Sequence, residues 1–302
     1  QQNQKIEIKR EMAMMMGCWS SASLLLRPHA SPLRCLPSPS DHTAPTCLLV
    51  GAHLIPHPDK VEKGGEDAFF FSSRRGRGVV AIADGVSGWA EQNVDPSLFS
   101  RELMANVKSL VDNNNEEVDD NPQVLMRKAH AATSATGSAT VIIAALESDG
   151  VLNIANVGDC GLRVIRGGEL LFATSPQEHY FDCPYQLSSE TVGQTYLDAV
   201  VSNVKLQKGD TIVLGSDGLF DNVFDHDIIS TIASHGDVLE AAKTLANIAS
   251  TKSMDSEYES PYALEARSKG LDVPWWKKIL GKNLSGGKLD DITVIVGQVI
   301  TL

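Results

Sequence analysis

Apolar residues in this chain fall into short, nearly unbroken blocks. Leu48-Leu49-Val50, Ala68-Phe69-Phe70-Phe71, Val79 to Ala83 and Ala139 to Leu146 are such blocks. Val151 to Asn156, Leu162 to Ile165, Leu170 to Phe172, Thr211 to Leu214 and Ile292 to Val299 continue the series. Runs of this length, rich in β-branched and aromatic residues, predict buried strands. Asp149-Gly150 and Gly167-Gly168 separate successive runs and predict hairpin turns. Between the runs the period changes. Pro96, Leu98, Phe99, Leu103, Val107 and Leu110 follow helical spacing, with Asp95-Pro96 as a start signal. Further helices are predicted over 122–133, 225–234 and 237–251. No internal repeat is present. Blocks of strands and blocks of helices, with many hairpins, predict an α+β fold.

The polar residues at the ends of these blocks carry the chemistry. Val79 to Ala83 runs into Asp84-Gly85, Thr211 to Leu214 into Ser216-Asp217-Gly218, and Asp290-Asp291 opens the last strand. Glu66-Asp67 precedes Phe69, and Asp159 follows Ile154. Any one Asp-Gly is explained as a turn. Acids at the ends of this many strands are not. If the sheets bring those ends together, only bound cations could hold them. A site of carboxylates alone selects hard ions such as Mg²⁺ or Mn²⁺. Two such ions about 4 Å apart acidify a shared water, and the resulting hydroxide can attack phosphorus in line. A glycine after the central aspartate lets its carbonyl approach an ion with no Cβ in the way.

Composition narrows the class. The 302 residues carry a net charge of −12 with no block of Lys and Arg, which excludes a nucleic-acid partner. No apolar run is long enough to span a membrane. Five cysteines form no CxxC pair, so neither a disulfide framework nor a zinc site is expected. Cys160, beside Asp159, is expected to be a small core residue. Residues 12–40 contain no Asp or Glu but hold six serines, Arg27, Arg34 and four prolines. That composition predicts an organelle transit peptide within a disordered segment 1–46, ahead of a single domain 47–302. Trp275-Trp276-Lys277-Lys278 is expected either to dock a phosphoprotein or to pack as a lid, and packing is the favoured reading.

Six motifs occur in order: Gly64-Gly65-Glu66-Asp67-Ala68, Ala83-Asp84-Gly85-Val86-Ser87-Gly88-Trp89, Thr136-Gly137-Ser138-Ala139-Thr140, Asn156-Val157-Gly158-Asp159, Ser216-Asp217-Gly218-Leu219-Phe220-Asp221-Asn222 and Asp290-Asp291-Ile292-Thr293. In this order they resemble the metal-dependent type 2C protein serine/threonine phosphatases, over residues 47–302. Gly85-Val86-Ser87-Gly88-Trp89 resembles the organellar branch. Ser260-Pro261-Tyr262-Ala263 and Gly286-Gly287-Lys288 are similar to chloroplast members acting on photosystem II core phosphoproteins. The resemblance implies a four-layer α-β-β-α sandwich of two antiparallel sheets. It implies two Mg²⁺ or Mn²⁺ ions, and a looser third. Asp84 would bridge the two, with the Gly85 carbonyl on one and Asp217 and Asp291 on the other. Glu66 and Asp67 would hold water, and Asp159 and Asp221 would serve the third ion. It further implies a monomer acting on phosphoproteins, thylakoid membrane proteins among them, in the chloroplast or, as the alternative, the mitochondrion.

Two positions depart from that pattern. Val86 stands where many members have a His that protonates the leaving oxygen, so His179 and His53 become candidates for that role. Lys60 and Lys63 stand where many members have a phosphate-binding Arg, and lysine offers charge without a bidentate fork. These departures motivate a rival expectation, a pseudophosphatase that binds phosphoproteins without turning them over.

Overall fold

The computed structural model describes residues 46–74, 77–113, 121–190, 193–271 and 284–301. The expected transit segment 12–40 and Trp275-Trp276 lie outside them. Strands β1 (Thr46–Ile55), β2 (Ala68–Arg74) and β3 (Arg77–Gly85) come first. Helices α1 (Pro96–Asp112) and α2 (Pro122–Ala132) follow, then β4 (Ser138–Leu146), β5 (Val151–Val157), β6 (Gly161–Arg166) and β7 (Glu169–Ala173). Three short strands, β8 (Glu178–Tyr180), β9 (Cys183–Pro184) and β10 (Leu187–Ser188), lead to β11 (Val200–Lys205) and β12 (Thr211–Gly215). The chain ends with α3 (Asp217–Phe220), α4 (Asp225–Ser234), α5 (Val238–Ser253), α6 (Pro261–Ser268) and β13 (Ile292–Thr301).

The strands pair antiparallel into two main sheets, ordered β1-β13-β12-β6-β7 and β11-β5-β4-β3-β2. Alternation along each strand then builds four layers, as expected. Val80, Ile82, Ile142, Ile212, Leu214 and Ile295 point between the sheets. Their neighbours Ala81, Val141 and Ile143 point outward onto Phe99, Leu103 and Val107 of α1 and Leu125 of α2. On the other side Val213, Val294 and Val296 meet Ala242, Leu245 and Ala246 of α5. Both faces of each central strand are buried. That explains why these strands read as unbroken apolar runs, without the usual alternation.

Helix starts follow the sequence signals. Asp95 accepts from Ser97 N at 3.1 Å, and Asn121 accepts from Gln123 N and Val124 N. Helix α6 and strand β11 are among the elements that were not expected, as are the short β8, β9, β10 and α3. Helix α6 is capped by Ser260, whose Oγ accepts from Ala263 N at 3.0 Å. Strand β11 pairs with β5 at a sheet edge with most side chains in solvent, so its sparse valines gave little apolar pattern.

This topology sets every relevant strand end at one rim. Strand β3 ends where β4 begins, with Asp84 opposite Thr140. Strand β12 ends where β13 begins, with Gly215 opposite Val294. Strand β2 starts beside the end of β3, with Ala68 opposite Ala83. The turn from β5 to β6, which carries Asp159, crosses from one sheet to the other at this rim.

Substituting Ile142→Ala should therefore cost about 2–5 kcal/mol, because the sheet-to-sheet layer cannot collapse around the lost volume. Leu197→Ala, at an exposed position, should stay within about 0.5 kcal/mol. Urea unfolding checks both; equal costs would contradict the layered packing.

Candidate active site

Each acid at the rim is held by its own local structure. Asp67 is buried, and its Oδ2 accepts from Ser216 Oγ at 2.8 Å and Thr293 Oγ1 at 2.7 Å. One aspartate before β2 is thus fastened to the ends of β12 and β13 in the other sheet. Asp217 opens α3, and the turn there admits only glycine next. A Cβ on Gly218 would lie 2.1 Å from the Asp291 carbonyl oxygen. Asp84 closes β3, half-buried, and Asp159 is half-buried in the crossing turn.

Asp290 and Asp291 divide their work in a way the sequence did not reveal. Asp291 is 1% exposed. Its Oδ1 accepts from His57 N at 2.7 Å and its Oδ2 from Glu66 N at 2.7 Å. Both oxygens are thus committed to backbone amides of the β1–β2 connection. Gly65, at φ +80°, makes room for that carboxylate, because its Cβ would lie 2.7 Å from Asp291 Oδ1. Asp291 was expected to be an ion ligand, and in the structure its carboxylate faces these amides. It staples a loop, while Asp290 carries the carboxylate that repels Asp217 and Asp84.

Two lysines enter the cluster. Lys60 Nζ lies 2.7 Å from Glu66 Oε2, 2.9 Å from Ser87 Oγ, 3.6 Å from Asp291 Oδ2 and 3.8 Å from Asp290 Oδ1. Ser87 Oγ also donates to Glu66 at 2.5 Å. Lys63 points away, exposed, toward Asp95 at 3.7 Å. Of the two candidate phosphate contacts, only Lys60 reaches the acids. At the other end Lys288 Nζ bonds Asp217 Oδ2 at 2.7 Å, Asp221 Oδ2 at 2.9 Å and Asp182 Oδ1 at 2.9 Å. The sequence marked Gly286-Gly287-Lys288 without giving the lysine a task. Asp221, expected to serve a third ion, is paired with it.

The candidate acids separate as well. His53 lies in β1 opposite Val294, on the face of Gly51 that packs on the backbone of α5. His179 is exposed on β8, its ring tilted against Tyr185 with centroids 4.5 Å apart, and 3.1 Å from Gln194. It lines a groove of about 350 Å³ together with Val86, Trp89, Ser138 and Gln186. Cys160 is buried, 3.2 Å from Thr140 Oγ1, and burial pushes its thiol up. It is a core residue, as expected.

The electrostatics are those of crowded, buried carboxylates. Burial pushes Asp67 up to about 8, aided by the charge of Asp291 and opposed by its hydrogen bonds from Thr293 and Ser216. Asp290 rises to about 7 through burial and Asp217. Asp221 rises to about 7 through burial, although Lys288 pulls it back. Asp84 stands well above the usual range, first through burial, then through Asp67, Asp217 and Asp290. Asp159 does so through burial and Asp217. For Lys60 and Lys288 burial alone would lower the pKa, but the surrounding carboxylates raise it.

Divalent ions fit this donor set. Asp67 Oδ1, Asp159 Oδ1 and Asp217 Oδ1 are buried and have no hydrogen-bond partner. Buried oxygens left unpaired are costly, and hard cations satisfy them. Among the described residues no three acidic, His or Cys side chains are gathered tightly enough to enclose an ion as they stand.

Comparison with known proteins agrees with the fold and the motifs. A family model described as Protein phosphatase 2C matches residues 61–257. Probable protein phosphatase 2C 26 of Arabidopsis thaliana is 65% identical over 269 residues, 89% of either chain. Probable protein phosphatase 2C 1 of Oryza sativa subsp. japonica is 62% identical over 252 residues, 83% of this chain and 75% of its own. The X-ray structure of the photosystem II phosphatase PBCP superposes with a TM-score of 0.81 at 61% identity, over 84% of this chain and 100% of that one. The catalytic domain of the serine threonine protein phosphatase PstP, in complex with 2 manganese ions, superposes at 0.56 with 18% identity, over 84% and 99%, and shows the fold alone.

The divided roles of Asp290 and Asp291 predict opposite phenotypes. Asp291→Asn sets an amide donor against a backbone N–H and should cost about 2–3 kcal/mol in urea unfolding with EDTA. Asp290→Asn relieves like charge, so it should leave metal-free stability unchanged or higher and weaken Mn²⁺ binding at least 10-fold. The reverse pattern would restore the ligand role to Asp291.

Proposed function

Because this chain belongs to the protein phosphatase 2C family, and is thus a protein serine/threonine phosphatase, we propose that it hydrolyses phosphoserine and phosphothreonine on chloroplast proteins. Photosystem II phosphoproteins of the thylakoid are the proposed substrates. The observation that carries the catalytic reading is the set of unpartnered buried carboxylate oxygens at one rim. The substrate reading is supported by the likeness to the photosystem II phosphatase PBCP. No described helix is long and apolar enough to cross a membrane, so such substrates would be met at the membrane surface.

The residues divide the work. Asp84, the Gly85 carbonyl, Asp217 and Asp290 would hold two Mg²⁺ or Mn²⁺ ions, with Asp159 beside them. When bound, such ions offset phosphate charge and lower the pKa of coordinated water. Glu66 and Asp67 would orient water at the rim; Ser216 and Thr293 fix Asp67, and Ser87 and Lys60 fix Glu66. Lys60 Nζ would meet the phosphate oxygens as a point charge. Val86 can carry no proton. His179, on the groove that Val86 lines, would deliver the proton the departing serine or threonine oxygen requires.

Purified protein with Mn²⁺ should therefore release phosphate from phosphorylated photosystem II particles. Chelation by EDTA should abolish turnover. Asp217→Asn should lower kcat/KM by roughly 100-fold or more, since even residues behind a metal ligand are worth about 10–100-fold. Turnover surviving both the chelator and the substitution would contradict the proposal. Turnover of other phosphoproteins alone would contradict the substrate.

A further inference from the structure

Lys288 sits where a lysine is least expected, among three carboxylates beneath the mouth of the site. Its ammonium is about as close to Asp182, Asp217 and Asp221 as hydrogen bonding allows, 2.7–2.9 Å. Its side chain is only 20% exposed. The ring of Tyr262 covers it at 5.2 Å. With Asp159 these residues line a cleft of about 210 Å³.

The placement is built into the backbone. Gly286 N donates to Tyr258 O at 2.8 Å, and Gly287 N donates to Asp255 O at 3.0 Å. Lys288 N donates to Asn222 Oδ1 at 2.9 Å, and Asn222 Nδ2 donates back to Lys288 O at 2.8 Å. Gly287 lies so close to helix α5 that a Cβ would sit 2.2 Å from Lys252 O. Lysine normally gives up much side-chain freedom to hold one position. Here the stem starts from a fixed point, and three acids surround its far end.

Charge accounting gives this arrangement a purpose. Asp217 Oδ2 is taken by Lys288, while Asp217 Oδ1 and Asp159 Oδ1 are buried and remain unpartnered. These two oxygens are left as donors for exchangeable ions. On the outer side Lys288 already pairs with Asp182, Asp217 and Asp221. Without an ammonium, the outer carboxylates would be crowded negative charges and would recruit a cation from solution.

We propose that Lys288 is a tethered cation that fills the outer end of the carboxylate rim, so that this chain binds one exchangeable divalent ion fewer than its acids could accept. This inference rests on the metal reading of the site. It makes Lys288 a positioning residue, acting through Asp217.

The test counts ions. Wild type, Lys288→Met and Lys288→Arg are dialysed to equilibrium against Mn²⁺, and bound metal per chain is measured by elemental analysis and by the electron-paramagnetic signal of free Mn²⁺. Lys288→Met should bind one ion more per chain than wild type, and Lys288→Arg should match wild type. Equal counts in Lys288→Met and wild type would overturn the inference alone. No binding to wild type would overturn the metal reading, and this inference with it. A second measurement needs no variant. The ¹⁵N ammonium resonance of Lys288 should stay in slow exchange with water at saturating Mg²⁺. Its release as Mg²⁺ binds would overturn the inference.

Discussion

Repulsion among carboxylates gathered at one rim is the constraint that this structure is built around. Antiparallel pairing places the end of β3, the start of β2, the end of β12 and the start of β13 at the same edge. Each brings an aspartate or glutamate. Withdrawing such groups from water without partners is expensive. The fold meets this with backbone amides on Asp291, hydroxyls on Asp67, and ammonium groups on Glu66 and Asp217. What remains unsatisfied, Asp67 Oδ1, Asp159 Oδ1 and Asp217 Oδ1, points at the proposed chemistry. The cost is kept at the position where a cation can offset it.

The rest of the sandwich serves as a rigid mount for that rim. Central strands buried on both faces leave little freedom for their ends. Fastening Asp67 to Ser216 and Thr293 ties the two sheets together at the site itself. Asp291 then locks the β1–β2 connection, which carries Lys60 and Glu66, to the start of β13. Displacing any one of these groups would shift several carboxylates at once.

The layers were legible in the sequence because doubly buried strands write long apolar runs and helices write a different period. The edge strand β11 was not, since solvent-facing valines and polar residues carry no such contrast. Among site residues, Asp84, Asp217 and Asp159 announce themselves by standing at the ends of apolar runs. Asp290 and Asp291 stand at the same strand start, and spacing alone cannot tell which one faces the cluster. Only the amides of His57 and Glu66, distant in sequence, decide that. Lys288 was hidden for a related reason. It follows two glycines in a polar stretch, and its partners Asp182, Asp217 and Asp221 lie up to 106 residues away. Lys60 and Lys63 are three apart on one turn, and only packing shows which points inward.

The central claim is that the acids of the rim are strained without cations, and the pH dependence of stability tests it most directly. Burial and like charge raise Asp67 to about 8 and Asp221 and Asp290 to about 7, whereas an unfolded aspartate titrates near about 3.9. Groups raised in the folded state favour folding while protonated, and that contribution is lost as pH climbs through the folded pKa. Urea unfolding in EDTA should therefore show stability falling between pH 5.5 and pH 8.5. Saturating Mn²⁺ should remove the fall and stabilise the protein most at the alkaline end. Stability in EDTA that is flat or rises over that range would contradict the account.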